Sequence, residues 1–242
     1  MIRKLLVLIA LVFAGYQVQS QVLITILFGD KLNSPNLEFG LEGGYNWSQI
    51  SGLETGTPLG TFNLGFYFDF RIKKNFYFYT GVLVKSNMGS GGLTNNDLNL
   101  LGSQIYEDTN SAVFAGKYSQ RLNYFLVPLL AKYRWNSDIY VEGGIQTGWM
   151  YKSWVEFNAD VDGKDAIIKD YNRQNINKID VGGLVGVGYK FKSGPGWSVG
   201  VKYYYGFVDV YKNVSNTKNS SLFVKMNIPI GVGKTQEKSK PE

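Results

Sequence analysis

The sequence contains no histidine and no cysteine. Without histidine, hydrolysis by a Ser-His-Asp triad and histidine-ligated metal sites are excluded. Without cysteine, disulfides and thiol redox chemistry are excluded as well. The acidic segment Asp160 to Asp165 misses the spacing of a calcium-binding loop, so we interpret it as a solvated loop. We predict that the protein is not an enzyme and has no catalytic, cofactor-binding or metal-binding residues and no cofactor; catalysis by carboxylates alone is the alternative.

Long apolar runs are also scarce, and the clearest one, Leu5 to Ala14, is too short to span a bilayer. It follows the basic pair Arg3-Lys4, and Val18 to Ser20 place small or compact residues before Gln21. This arrangement predicts a signal peptide at 1–20 and export from the cytoplasm. An uncleaved membrane anchor is the alternative.

The excess of positive charge is small. The formal net charge is +6, and removing residues 1–20 takes away Arg3 and Lys4, which leaves +6 − 2 = +4. Such a balance does not indicate nucleic acid as a partner. After export it favours a solvated surface, with contacts to anionic lipid as the alternative.

The most informative feature of the chain is a strict alternation of apolar and polar residues. From Thr61 to Ile72, Phe62, Leu64, Phe66, Phe68, Phe70 and Ile72 share one face, and Thr61, Asn63, Gly65, Tyr67, Asp69 and Arg71 share the other. Side chains of a strand alternate between faces with a period of two. An apolar outer wall and a polar lumen are characteristic of a transmembrane β-barrel.

Seven further segments read in the same way, and tight turns alternate with longer loops between them. The expected strands are Leu37–Ser48, Thr61–Ile72, Phe76–Asn87, Tyr118–Trp135, Ile139–Tyr151, Ile179–Phe191, Trp197–Phe207 and Leu222–Val232. In the fourth, both faces are apolar around Pro128, which predicts a bulge or a missing ladder bond.

Aromatic side chains cluster near both ends of these strands, as they do at the two membrane interfaces. Those near the loop ends are Trp47, Phe62, Trp149, Tyr151, Trp154, Tyr205 and Phe207. We predict an all-β, eight-stranded antiparallel up-and-down transmembrane β-barrel with short periplasmic turns and long extracellular loops. A soluble lipocalin-like barrel is the alternative, but it would turn its greasy face inward.

The expected organisation follows from this count. Residues 21–36 form a periplasmic N-terminal segment, 37–232 the outer-membrane β-barrel, and 233–242 a periplasmic polar tail. An even number of strands places both termini in the periplasm of a cell with an outer membrane. The long loops, Met88–Lys117 and Lys152–Lys178, then face outward.

Charged residues fall on the inward faces. We expect five acidic residues to oppose five basic ones in the lumen: Glu38, Glu42, Asp69, Glu142 and Asp180 against Arg71, Lys85, Lys190, Lys202 and Lys225. The interior of an eight-stranded barrel is just filled by side chains, so unpaired charges there would be costly. The pattern favours a salt-bridged plug; a selective path for small solutes or protons is the alternative.

Two segments resemble a known family. Gly29-Asp30-Lys31-Leu32-Asn33-Ser34, followed by the run from Glu38 to Ser48, is similar to PorT-like outer-membrane β-barrel proteins, as is Tyr124 to Tyr133. The resemblance implies an eight-stranded outer-membrane barrel and points to a secretion or envelope-assembly accessory. One departure is that a polar tail, Gly233 to Glu242, follows the last strand.

The functional hypothesis is therefore a non-enzymatic outer-membrane protein that binds partners through its extracellular loops. Expected partners are outer-membrane lipid, lipopolysaccharide, and envelope or secretion-system proteins. A narrow small-solute channel is the first alternative, and a lipid-modifying enzyme is the second.

Overall fold

The computed structural model describes residues 34–54, 56–106, 116–161, 164–192 and 196–230. The expected signal peptide at 1–20, most of the segment 21–36 and the tail 233–242 lie outside the described residues, and these remain predictions. Among the described residues, no helix is long and apolar enough to cross a membrane.

Strands dominate the chain. They are β1 (Leu37–Ile50), β2 (Thr57–Arg71), β3 (Phe76–Gly91), β4 (Lys117–Arg134), β5 (Ile139–Val161), β6 (Lys164–Asp170), β7 (Ile179–Lys190), β8 (Ser198–Asp209) and β9 (Lys218–Pro229). A seven-residue helix, α1 (Asn95–Leu101), precedes β4, and a 3-10 turn (Arg173–Asn175) precedes β7.

Eight of the strands form a closed antiparallel ring. Each pairs with its neighbour in sequence, β5 pairs with β7, and β1 closes the ring on β9 from Gly40–Pro229 to Ile50–Asn219. The remaining strand, β6, folds back on the far end of β5 as a hairpin. The predicted eight-stranded up-and-down barrel is confirmed.

The two faces of the wall are also as expected. In β2, Phe62 is half exposed, whereas Thr61, Asn63 and Asp69 are buried inside the barrel. Large side chains exposed on the outer wall include Tyr45, Trp47, Phe76, Phe125, Trp149, Val185, Val187, Tyr203, Tyr205 and Phe207. An apolar outer wall around a polar, buried lumen is the arrangement of a barrel that spans a membrane, and a lipocalin-like barrel is the reverse.

The two ends of the barrel differ. One end, here called the turn end, carries the short connections after β2, β4 and β7; the other, the loop end, carries α1, β6 and the 3-10 turn. At the loop end, strand β5 extends further than the sequence predicts. The expected loop Lys152–Lys178 is in large part strand, because β5 continues to Val161 and pairs with β6.

A bulge in β3 corrects one predicted face. The register with β4 shifts between Leu83 and Ser86, so the alternation slips by one residue. Ser86 and Met88 are fully buried in the lumen, and Lys85, which we expected inside, is exposed. Of the two outcomes predicted at Pro128, the interrupted ladder is found: β3 and β4 pair at Thr80–Leu129 and next at Leu83–Leu126, in the same register.

The facing of β2 can be tested at Phe66, whose side chain lies midway along the outer wall. Phe66→Arg should lower the free energy of unfolding by about 2–4 kcal/mol, because a cation at mid-bilayer meets hydrocarbon. The measurement is reversible urea unfolding in lipid vesicles.

The matched control is Ile72→Arg, just past the end of β2, where Ile72 is exposed. A cation near the interface costs only about 0–1 kcal/mol. Equal costs for the two variants would show that Phe66 does not face lipid. Thr61 is unsuitable as a control because it is buried and donates a hydrogen bond to Asn46.

Candidate functional site

The lumen near the turn end is filled by buried charges. Lys202 is fully buried, and its Nζ lies 2.6 Å from Oε1 of Glu42, which is buried as well. The hydroxyl of Tyr79 donates to the other oxygen of the same carboxylate. Both oxygens of Glu42 therefore have a partner inside the barrel.

A second group of charges forms a chain across the lumen. Lys132 Nζ lies 2.9 Å from Asp69 Oδ2 and 4.0 Å from Glu142 Oε2, and Lys225 Nζ lies 2.5 Å from Glu142 Oε1. All four side chains are buried. Because a buried charge is costly when it is alone, the chain links β2, β4, β5 and β9 through interactions that depend on one another.

Two tyrosine rings fill the space between these charges. Lys132 and Lys225 lie 4.3 and 4.2 Å from the ring centroid of Tyr79, and 4.8 and 5.6 Å from that of Tyr140. Desolvated cations bind to such ring faces. The ring of Tyr140 fits because Gly188 and Gly200 have no side chain, since a Cβ at either position would collide with it. These inward glycines allow a large ring to cross a narrow lumen.

A further pair lies close to the turn end. Lys190 contacts Glu38, and the hydroxyl of Tyr67 donates to Oε1 of Glu38 at 2.9 Å. Beyond it, the exposed Lys192 lies 2.9 Å from Asp138, and this hydrogen bond raises the pKa of the lysine.

Most of the charges expected in the lumen are found there, namely Glu38, Glu42, Asp69, Glu142, Asp180, Lys190, Lys202 and Lys225. Arg71 shares the inward face of Asp69 in β2, but it lies exposed at the turn end, with its guanidinium 5.7 Å from the ring centroid of the buried Tyr77, and is not buried in the lumen. The partner of Asp69 is Lys132, which we did not predict to face the lumen. It stands in the strand with two apolar faces, and its charge was the one signal that could have assigned it to the lumen.

Neutral polar side chains continue the filling toward the loop end. Asn46 donates to Ser221 at 3.1 Å and accepts from Thr61 at 2.7 Å. Asn219 donates to Asp180 at 2.8 Å, and both are buried. The lumen is thus occupied along its length.

The mouth at the loop end is covered by α1. This helix is held by a capping box between Thr94 and Asp97 and ends at Gly102, whose φ of 63° suits glycine. Leu98 and Leu101 point down into the apolar cluster, which also contains Leu122 of the wall. A seven-residue helix is marginal alone, so its packing over the mouth stabilises it.

A hydrogen-bond network fastens the other loops to the wall. Oε1 of Gln120 accepts from Asn172 at 2.7 Å and from the hydroxyl of Tyr211 at 2.9 Å, and all three residues are buried. Burial raises the pKa of Tyr211 well above its ordinary value. Beside Tyr211, a cavity of about 280 Å³ opens between α1 and the β8–β9 loop, lined in part by Asn99, Leu100 and Asn213.

Above this cover, the β5–β6 hairpin packs on the apolar cluster through Phe157 and Ala159 of β5, whereas β6 carries two exposed isoleucines. Ile167 is 54% exposed and its neighbour Ile168 is 41% exposed, although adjacent residues of a strand point to opposite faces. Tyr171 and, on α1, Leu100 are exposed in the same region. Among the described residues, no cluster of acidic side chains suited to a metal ion is found.

A closed barrel with an apolar outer wall and a filled polar lumen defines the class of outer-membrane β-barrels. The chain belongs to the family described as outer membrane protein beta-barrel domain, whose model matches residues 19–212. The outer membrane is therefore its location. Among curated proteins, no significant match is found.

Solved structures with a similar fold include three bacterial barrels. Ail of Yersinia pestis, in complex with the heparin analogue sucrose octasulfate, is 12% identical with a TM-score of 0.41, over 81% of this chain and 99% of that one. Neisserial surface protein A is 10% identical with a TM-score of 0.38, over 79% and 96%. OprG of Pseudomonas aeruginosa is 11% identical with a TM-score of 0.30, over 80% and 91%. Similarities this low give no argument for a shared function.

The lumen network predicts the effect of removing Lys132. Lys132→Met should lower the free energy of unfolding by about 3–5 kcal/mol, because it leaves Asp69 buried without its cation. Adding Asp69→Asn should recover part of that loss, since the remaining polar group is no longer charged. Both are measured by urea unfolding in lipid vesicles.

The matched control is Lys192→Met, which removes the cation of an exposed pair at the turn end and should have a much smaller effect. If Lys132→Met costs no more than the control, or if Asp69→Asn adds to the loss, the buried pairs do not hold the lumen together.

Proposed function

We propose that this protein is a non-enzymatic outer-membrane barrel that binds envelope or secretion-system proteins through its loop end, which faces outside the cell. Both termini then lie in the periplasm, as short periplasmic turns and long outer loops require. The similarity of the Glu38–Ser48 and Tyr124–Tyr133 segments to PorT-like proteins supports the link to secretion or envelope assembly.

The observation that carries the proposal is the exposed apolar surface of the β5–β6 hairpin. Asn158, which pairs with Ile167, stands nine residues beyond Trp149 of the outer wall, roughly 30 Å along the strand. Ile167 and Ile168 therefore lie well beyond the lipid-facing wall. At this height β6 is the edge strand of a three-stranded extension, because Asn158 and Phe157 of β5 also pair with β4. An exposed edge strand that carries apolar side chains marks an interaction site. A partner that packs along β6 would explain why both isoleucines are exposed in its absence.

The cover over the mouth adds a second contact region. Leu100 is 52% exposed on the outer side of α1, next to the cavity lined by Asn99 and Asn213. Amide groups around an apolar opening suit the insertion of a side chain from a protein partner.

The alternatives have less support. A channel needs a continuous polar path, whereas charges, tyrosines and the apolar cluster under α1 occupy this lumen. A lipid-modifying enzyme needs an activated nucleophile or base, and the chain has no histidine to supply one.

Site-specific cross-linking tests the proposal. A photo-reactive residue at Ile167 or at Leu100 should capture a discrete envelope or secretion-system protein in intact cells. Ile167→Ser with Ile168→Ser should abolish capture from Leu100 while the barrel still folds, because both side chains are exposed.

The matched control places the same photo-reactive residue at Lys73, which is exposed at the turn end. Orientation is measured separately: since the chain has no cysteine, Gln174→Cys should react with an impermeant maleimide on intact cells and Lys74→Cys should not. Identical adducts from Ile167 and Lys73, or capture unaffected by the serine changes, would contradict the proposal.

A further inference from the structure

A cluster of lysines and aromatic rings lies on the outward face of the barrel, just beyond the lipid-facing wall at the loop end. Lys152 Nζ is 5.5 Å from the ring centroid of Trp154 and 5.2 Å from that of Tyr171, and Lys169 Nζ is 5.3 Å from that of Trp154. We call Lys152, Trp154, Lys169 and Tyr171 the basic-aromatic cluster.

The two ammonium groups lack a carboxylate partner within the described part of the chain. The acid nearest in sequence pairing is Glu156, opposite Lys169, and both of its oxygens are engaged: Oε1 accepts from Arg121 at 2.8 Å and Oε2 from the indole of Trp154 at 3.0 Å. Asp170 belongs to the other face of the hairpin, where it pairs with Val155. Among the described residues, these two positive charges therefore have no carboxylate partner, and they are available to an anionic ligand.

The height of the cluster suits a lipid headgroup. Phe125 and Tyr151 stack on the outer wall with ring centroids 4.7 Å apart, and Trp149 is 62% exposed there. Lys152 follows Tyr151 directly and stands three residues beyond Trp149, about 10 Å along the strand. Aromatic residues mark the membrane interface, so the ammonium groups lie where headgroups begin.

The direction of the cluster favours lipid over protein. A register shift in β5 between its pairings with Asn123 and Tyr124 keeps Lys152, Trp154 and Glu156 on the outward side, in line with the wall below. Any molecule that this face meets at that height also borders the bilayer. Ile168 lies on the opposite face of β6, and Ile167, which shares the face of Lys169, stands further from the bilayer along the strand. The surface proposed for a protein partner is therefore centred beyond the cluster.

We propose that the basic-aromatic cluster binds the phosphorylated sugar headgroup of a lipopolysaccharide molecule in the outer leaflet. Lys152 and Lys169 would each pair with phosphate, as lysines do as point charges. Tyr171, which is exposed, offers a ring face for a sugar. The assignment of leaflet rests on the orientation proposed above, but the chemistry of the cluster does not.

Native mass spectrometry of the purified full chain in detergent tests this site with bisphosphorylated lipid A as the probe. Wild type should retain one lipid A, and Lys152→Gln with Lys169→Gln should weaken retention about tenfold or more, as expected for two lost contacts to an anionic headgroup. Lys152→Arg with Lys169→Arg should retain it. Wild type should retain lipid A without its phosphates no better than the glutamine variant retains bisphosphorylated lipid A.

The matched control is Lys73→Gln with Lys74→Gln, which removes the same charge at the turn end and should leave retention unchanged. The shift of the folded barrel on an unheated gel verifies folding of every variant. Equal retention by wild type and the Lys152/Lys169 glutamine variant, or equal retention of phosphate-free lipid A, would overturn the site. Because this assay needs neither cells nor a protein partner, its failure is distinguishable from failure of the cross-linking.

Discussion

The structure depends on one constraint, the need to pair every backbone N–H and C=O group inside a hydrocarbon layer. An open sheet would leave two unpaired edges, and pairing β1 with β9 removes them. With only eight strands in the ring, the interior is no wider than the side chains that fill it. The narrow lumen then dictates where glycine, tyrosine and charge can stand.

Charges confined to such a lumen have to be paired, and this links the fold to function. Lys202 with Glu42, and Lys132 with Asp69, are buried pairs that join strands far apart in sequence. They occupy the space that a conducting path would need. Surfaces free for binding are consequently found outside the lumen, on α1, on the β5–β6 hairpin and on the outward face beside Trp154.

The membrane-embedded part could be predicted from the sequence because lipid imposes the alternation directly. The segment from Phe62 to Ile72 shows this, because each of its large apolar side chains has to face the lipid. The prediction failed where a second factor intervened. A bulge turned Lys85 outward, and two apolar faces hid the inward Lys132. Beyond the membrane, lipid no longer imposes alternation on the sequence, so we predicted a loop where the β5–β6 hairpin is found. For the same reason we predicted Trp154 to be an aromatic residue at the interface, whereas lysine side chains cover its ring.

The most direct test of the account is the conductance of the purified protein in a planar bilayer at high salt. The account predicts no steady conductance, because paired charges and tyrosines fill the lumen and α1 covers its mouth. A reproducible single-channel step of constant size would contradict it and would establish a path through the barrel.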